Sequence, residues 1–369
     1  MPSLLYLVPD LIGTPGGIAR YCRLVSEALL ETGADLHVIA LSDHRTGAEQ
    51  IAERFPNIRY VPCSGSRPAF VRQVFENALR LQPGLVLIGH VNFAPLGWAV
   101  ARLAAAKTVT FVYGIDAWTQ LPRLRRFSLQ QSDRIVAISR YTAARTMGAN
   151  ALDPGKMRVL YNCLDPQFEE PSQSPVANES LSLLTVARMS LAEQYKGHDV
   201  VIRAMPELVR RFPGLVYHIV GDGDARPGLE SLAQQVGVAE VVRFHGTVSE
   251  TILRKHYAQA SLFIMPSRAE GFGFVFLEAM TQGLPAIGGN MDATPEVIVD
   301  GETGLLVTPT SVEEIVEAVS RLLRDDELRL RMGEAARRHV ARKFSYQGFR
   351  RQLFEELSGL APAVFPGQD

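Results

Sequence analysis

The chain has 369 residues, with 38 lysines and arginines against 39 acidic residues and a net charge of -1. Hydrophobic residues make up 47% and charged ones 21%, a composition that excludes wholesale disorder, while the near-zero balance argues against a dedicated nucleic-acid binder. At about 100–200 residues per domain, the length predicts two domains, each large enough to bury its own core.

The opening stretch, Met1-Pro-Ser-Leu-Leu-Tyr-Leu-Val-Pro9, is too short for a signal-peptide core and has no basic region before it. Leu4–Val8, Asp35–Leu41, Leu85–Ile88, Thr108–Val112 and Arg134–Ile138 have the apolar, β-branched character of buried strands. Ile18–Thr32, Pro68–Leu81 and Pro95–Ala106 between them have helical spacing. After about Asp165 the chain becomes a Pro/Ser-rich connector, Pro-Gln-Phe-Glu-Glu-Pro-Ser-Gln-Ser-Pro. Alternation resumes with strands at Leu181–Ala187, Val216–Val220, Val241–Phe244, Leu262–Met265, Pro285–Gly288 and Gly304–Val307. Two β/α series joined by a linker predict two doubly wound, Rossmann-like α/β domains, residues 1–165 and 166–344, with a ligand at the carboxyl ends of the strands in a central cleft. A last helix within 345–360 has two positions open to it: its own domain, or a return to the first. No apolar run approaches the roughly 20 residues of a membrane-spanning helix. Cys22, Cys63 and Cys163 are widely spaced and odd in number, which suits a reducing, cytoplasmic setting better than a disulfide framework.

Three stretches carry chemistry. Gly13-Thr-Pro-Gly16-Gly17 lies between the first strand and the first helix, where glycines let backbone N–H groups approach an anion. Its bland alternative is a glycine-rich turn, and the dinucleotide fingerprint Gly-x-Gly-x-x-Gly is absent. Arg188 and Lys196 share the loop after the first strand of the second domain; a guanidinium fork and an ammonium there suit a diphosphate, the alternative being two solvated cations. Glu270-Gly-Phe-Gly-Phe-Val-Phe-Leu-Glu278 places one carboxylate in a loop and the other about one turn into the following helix. Such a pair, flanking helix-start amides, suits a sugar hydroxyl and a ribose diol; the alternative is a capping residue and a surface position.

Together and in this order, these stretches resemble glycosyltransferase family 4, retaining enzymes of the GT-B fold. The resemblance spans nearly the whole chain and includes Asn162-Cys-Leu-Asp165, Val220-Gly-Asp-Gly223, Phe244-His-Gly246 and Pro295-Glu296-Val-Ile298. It implies a hexosyltransferase moving a sugar from a nucleotide diphosphate to a hydroxyl of a glycan, lipid-linked or small-molecule acceptor, with no cofactor and no metal. Arg188 and Lys196 would bind the donor diphosphate. Glu270 would meet donor-sugar hydroxyls, Gly271, Phe272 and Gly273 would offer backbone N–H groups, and Glu278 would hold the ribose. Gly16, Gly17 and Gly246 complete the donor-binding set. His90 matches a cleft histidine near the reacting sugar, and Asp116, with Tyr113, falls on the acceptor side. Ala187 and Cys163 stand where the family usually has glycine, and Tyr113 where histidine is frequent.

Asp222-Gly-Asp224 matches a short metal-binding motif of other glycosyltransferases, but its place after a strand favours a turn. The eight histidines include no i, i+4 helical pair with a neighbouring acid, which argues against zinc. Trp98 and Trp118 are read as packing residues. Residues 1–165 hold 18 basic and 12 acidic side chains, the remainder 20 and 27, so the halves carry +6 and -7. The basic excess over 102–145 points to an anionic acceptor or to docking at an anionic membrane surface on its inner face, against the alternative of a solvated helix face. Outside this family, a GT-B-like sugar-nucleotide epimerase and a non-catalytic sugar-nucleotide-binding protein remain as alternatives.

Overall fold

A computed structural model describes residues 3–12, 16–44, 51, 53–168 and 181–365. The chain divides into two units, Met1–Asn162 with Gln347–Asp369, and Cys163–Tyr346.

In the first unit the strands are β1 (Leu4–Val8), β2 (Leu36–Ala40), β3 (Arg59–Pro62), β4 (Leu85–Ile88), β5 (Lys107–Val112), β6 (Arg134–Ala137) and β7 (Met157–Val159). All pair in parallel, in the order β3-β2-β1-β4-β5-β6-β7. The helices are α1 (Gly17–Leu30), α2 (Arg67–Leu81), α3 (Ala94–Leu103), α4 (Arg123–Gln131) and α5 (Arg140–Asn150). Side chains alternate across a strand, and β1 shows it: Leu5 and Leu7 join Phe70, Val74 and Val100 of α2 and α3 on one face. Tyr6 faces the other way, into a ring cluster with Phe111, which in turn meets Tyr21 of α1.

The second unit contains β8 (Ser182–Val186), β9 (Val216–Val220), β10 (Val242–Phe244), β11 (Leu262–Met265), β12 (Ala286–Gly289) and β13 (Gly304–Val307) in the order β10-β9-β8-β11-β12-β13, again parallel. Its helices are α6 (His198–Arg211), α7 (Arg226–Gln235), α8 (Glu250–Gln259), α9 (Phe274–Thr281), α10 (Val312–Arg324) and α11 (Asp326–Lys343). Leu262 and Ile264 pack with α6 and α10, whereas Phe263 meets Phe276 of α9 edge-on at 5.5 Å. Helices therefore cover both faces of each sheet, as parallel strands buried on two sides require.

The structure differs from the sequence reading at the sheet edges. β3 and β7 were not expected. Each is short and only partly buried, so neither presents the continuous apolar run that two-sided burial imposes on a central strand. α3 stops at Leu103 rather than Ala106, because Ala105 turns left-handed at φ 49° and Ala106 N–H donates back to the Ala101 carbonyl at 2.8 Å. Cys163–Asp165 fall with the second unit: Leu164 N–H donates to the Phe344 carbonyl at 2.8 Å. The connector residues 169–180 lie outside the described residues.

The final helix, α12 (Tyr346–Ser358), belongs to the first unit from Gln347 onward. Phe349 meets the Tyr21 ring edge-on at 5.7 Å, Arg134 donates to the Glu356 carbonyl at 2.9 Å, and Arg350 pairs with Glu31. Phe349 is buried, so Phe349→Ala should destabilise the first unit by about 3–5 kcal/mol, read as a lowered denaturant midpoint for the transition that exposes it.

Candidate functional site

In the second sheet β8 and β11 are neighbours, and the helices that follow them, α6 and α9, pack on opposite faces. Their carboxyl-end loops therefore part at a topological switch point, the usual ligand crevice of a doubly wound sheet. The loop after β8 carries Arg188 and Lys196; the loop after β11 carries Glu270. Lys196 Nζ donates to Glu270 Oε2, and the two side chains are only 15% and 14% exposed. Burial opposes the lysine's charge, but the Glu270 carboxylate, aided by Tyr195 and Glu193, outweighs it and holds the ammonium above the usual lysine range. Gly197 makes the approach feasible: its φ is 81°, and a Cβ there would stand 2.6 Å from the Pro266 carbonyl oxygen. Arg268 N–H donates to the Tyr195 carbonyl at 3.0 Å and ties the same two loops. Arg188 is mostly exposed and donates to Glu193 at 2.5 Å.

Asp292 shapes the Glu270 loop. Its carboxylate accepts the Glu270 N–H at 2.7 Å and the Thr294 N–H at 2.9 Å. Burial pushes its pKa up to about 6 against the pull of those bonds. Gly271, Phe272 and Gly273 lead into α9, whose N-cap, Gly273, has no side chain of its own to cap the helix. The Phe272 ring is committed to the core, 5.5 Å from Phe344, so what this residue can offer a ligand is main chain. Glu278, in α9, is buried and accepts the Tyr257 hydroxyl of α8 at 2.7 Å; it is not the surface position that the sequence left open. Gly246 follows β10 and accepts the Gly221 N–H at 2.9 Å. Asp224 accepts the Leu191 N–H at 2.7 Å and Asp222 the Gly223 N–H at 2.8 Å, so both carboxylates hold turns.

The first unit repeats the arrangement at β1 and β4, also neighbours. Gly16 and Gly17 stand at the start of α1, which no side chain caps; Gly13 to Pro15 lie outside the described residues. His90 follows β4. Its Nδ1 accepts the Asn92 N–H at 3.1 Å, which leaves the proton of the neutral ring on Nε2. Burial, aided by Arg125, lowers its pKa to about 4. After β5, Asp116 accepts N–H groups of Tyr113 and Gly114 at 3.2 and 2.6 Å and closes its own turn. Burial raises its pKa to about 7 despite them. Tyr113 is a core residue: its ring lies 5.4 Å from Tyr21, and its hydroxyl donates to the Gly89 carbonyl at 2.9 Å. Trp118 donates to Thr142, and Trp98 packs edge-on against Phe127.

The family models described as Glycosyltransferase Family 4 and Glycosyl transferases group 1 match residues 15–168 and 167–339. The chain is 32% identical over 287 residues to a GDP-mannose-dependent alpha-(1-6)-phosphatidylinositol monomannoside mannosyltransferase of Mycolicibacterium smegmatis, a match covering 72% of this chain and 74% of that one. The chain belongs to the group 1, family 4 glycosyltransferases. Another relative, a D-inositol 3-phosphate glycosyltransferase of Actinosynnema mirum, is 29% identical over 90% of each chain. Among solved structures, sucrose-phosphate synthase of Thermosynechococcus elongatus superposes with a TM-score of 0.83 over 98% of this chain and 100% of that one, at 19% identity. Anabaena HepE in complex with UDP gives 0.81 over 97% and 100%, also at 19%. The shared fold is GT-B.

Sequence reasoning missed the residues that position this glycosyltransferase's loops. Asp292 and Tyr257 are one acid and one tyrosine among many, with no motif to mark them. Asp43 is another: buried after β2, it accepts the Leu11 N–H at 2.6 Å and so holds the loop after β1. For His90 the folded pKa lies below that of an unfolded histidine. The unfolded chain binds the extra proton first, so the stability this residue contributes is present above about pH 6.5 and lost as pH falls toward 4. Between those values, His90→Gln should lose less stability than the parent by about 1–3 kcal/mol, measured by denaturant titration at each pH.

Proposed function

We propose that this glycosyltransferase moves a hexosyl unit from a nucleoside diphosphate sugar to a hydroxyl of a glycan, lipid-linked or small-molecule acceptor. Configuration at the anomeric carbon is retained, and no metal ion takes part in the transfer. The observation that carries the reading is the Lys196–Glu270 pair at the switch point of the second sheet, with Arg188 on the same loop. The names of relatives support it: the mycobacterial mannosyltransferase is GDP-mannose-dependent, and the HepE structure is a complex with UDP.

Breaking the anomeric C–O bond leaves negative charge on the departing diphosphate and oxocarbenium character on the sugar. Lys196, kept charged by Glu270, and the more exposed Arg188 would neutralise the diphosphate as that charge develops. The start of α9, reached through Gly271, Phe272 and Gly273, adds the positive end of a helix dipole. Glu270 would hold donor-sugar hydroxyls, Glu278 the ribose and Gly246 the nucleotide, by main-chain contact. In the first unit, Gly16 and Gly17 would serve the diphosphate, His90 would act beside the reacting sugar, and Asp116 would meet the acceptor. With fixed cations at the leaving oxygen, the acceptor hydroxyl attacks from the face the diphosphate leaves, which preserves configuration. Lys196→Ala should lower kcat about 10²–10³-fold, measured as nucleoside diphosphate release from UDP-glucose or GDP-mannose, whichever the parent turns over. The parent should keep its rate in EDTA; a Lys196→Ala enzyme as fast as the parent sinks the assigned role.

The acceptor-side surface suits work at the cytoplasmic face of an anionic membrane. Along α4, Arg123 and Arg125 are exposed, and so are Leu124 and Phe127, at 62% and 44%. Cations interleaved with apolar tips fit lipid headgroups and the upper acyl region. Among the described residues no helix is long and apolar enough to cross a membrane. Co-sedimentation at low salt should recover several-fold more protein with anionic than with neutral vesicles, and Leu124→Ser/Phe127→Ser should abolish the excess.

A further inference from the structure

Three histidines that are remote in sequence converge in the second unit. His218 lies on β9, His245 one residue past β10, and His256 in the last turn of α8. Strand alternation explains the first: Tyr217 and Ile219 face the core under α6 and α7, so His218 points to the opposite face. The ladder continues one residue beyond β10, His245 N–H donating to the Ile219 carbonyl at 2.9 Å, and this sets His245 beside His218. His256 then closes over both. The ring centroids are 5.1 Å apart for His218–His245, 4.3 Å for His245–His256 and 5.8 Å for His218–His256. All three are half-buried, and one nitrogen from each lies within 4.8 Å of the other two.

We propose that His218, His245 and His256 form a three-imidazole site for a divalent transition-metal ion of the zinc class, separate from the transfer chemistry. The donor set is all nitrogen. Imidazole suits zinc, copper, nickel and cobalt, whereas magnesium and calcium require oxygen ligands. Zinc–nitrogen bonds of about 2.0–2.1 Å at tetrahedral angles put ligand nitrogens about 3.4 Å apart, within reach of these rings by small side-chain rotations. His218 Nδ1 and His245 Nε2 are already 2.8 Å apart, with one proton between them, and an ion would displace that proton. The neutral imidazole is the form that ligates, and binding an ion releases any proton the rings carry. Arg243, beside His218 across the ladder, opposes a cation, but its side chain is exposed and free to extend into water. Three protein ligands at a half-buried position leave the fourth to solvent. The ion would pin α8 to the edge of the sheet. Its neighbours matter: Gly246 follows His245, and Tyr257, which donates to Glu278, follows His256.

The test uses tag-free, chelator-treated full-length protein and zinc alone as the probe. Competition against a chromophoric chelator should show one equivalent of zinc bound at micromolar or tighter affinity. His245→Gln and His256→Gln should each weaken that binding at least tenfold, and His44→Gln, at an exposed position elsewhere, should leave it unchanged. Cobalt in place of zinc should give the visible spectrum of a four-coordinate nitrogen and oxygen site with no thiolate charge-transfer band. Melting curves of the metal-free variants should match the metal-free parent, separating loss of a ligand from loss of the fold. No zinc uptake, uptake that survives both substitutions, or a thiolate band from cobalt would overturn the proposal.

Discussion

Two opposite charges set at the ends of adjacent strands require everything around them to be held still. Lys196 and Glu270 are largely withdrawn from water, and removing two charges from water costs several kcal/mol each unless they meet in good geometry. That geometry depends on features distributed between Tyr195 and Asp292. Gly197 lets one loop touch Pro266, the Tyr195 carbonyl receives an N–H from the other loop, and Asp292 fixes the Glu270 main chain. Loosening any of these leaves a buried charge without its partner. The pair thereby joins the β8 and β11 loops at one rim, and the Glu270 carboxylate favours the charged form of Lys196.

The first unit is organised by apolar contact instead. Tyr6 of β1, Tyr21 of α1, Phe111 of β5, Tyr113 just past β5 and Phe349 of α12 form a connected set of rings on one face of the sheet. Edge-on aromatic pairs combine large burial with a preferred orientation, so the set holds β1, β5, α1 and α12 in register with one another. It also explains why the last helix returns: without Phe349, Tyr21 would lose one of its ring partners. The two units reach the same end by different physics, a charge pair in one and an aromatic cluster in the other.

Most of the central strands were legible because burial on both faces forces continuous apolar runs, as at Leu85–Ile88 and Leu262–Met265. Edge strands escape that requirement, and β3 and β7 were illegible for that reason. The site was legible where several unusual residues sit close in sequence. Glu270 to Glu278, and Arg188 with Lys196, are such cases. Positioning groups are not: Asp292 acts on a residue 22 places away, and Tyr257 on one 21 places away. The histidine trio is the extreme example. Its members come from a strand, a strand end and a helix, and helical i, i+4 spacing is no guide to ligands that a sheet edge brings together.

The sequence by itself determined the α/β class, the order of elements and the family, because periodicity and local motifs are properties of neighbouring residues. Tertiary structure alone decided which charges meet. It paired Lys196 with Glu270, buried Glu278 against Tyr257, packed the Tyr113 ring against Tyr21, and gathered three histidines at one edge. Each outcome depends on strand register and on close approach of main chains, and distance along the sequence carries neither.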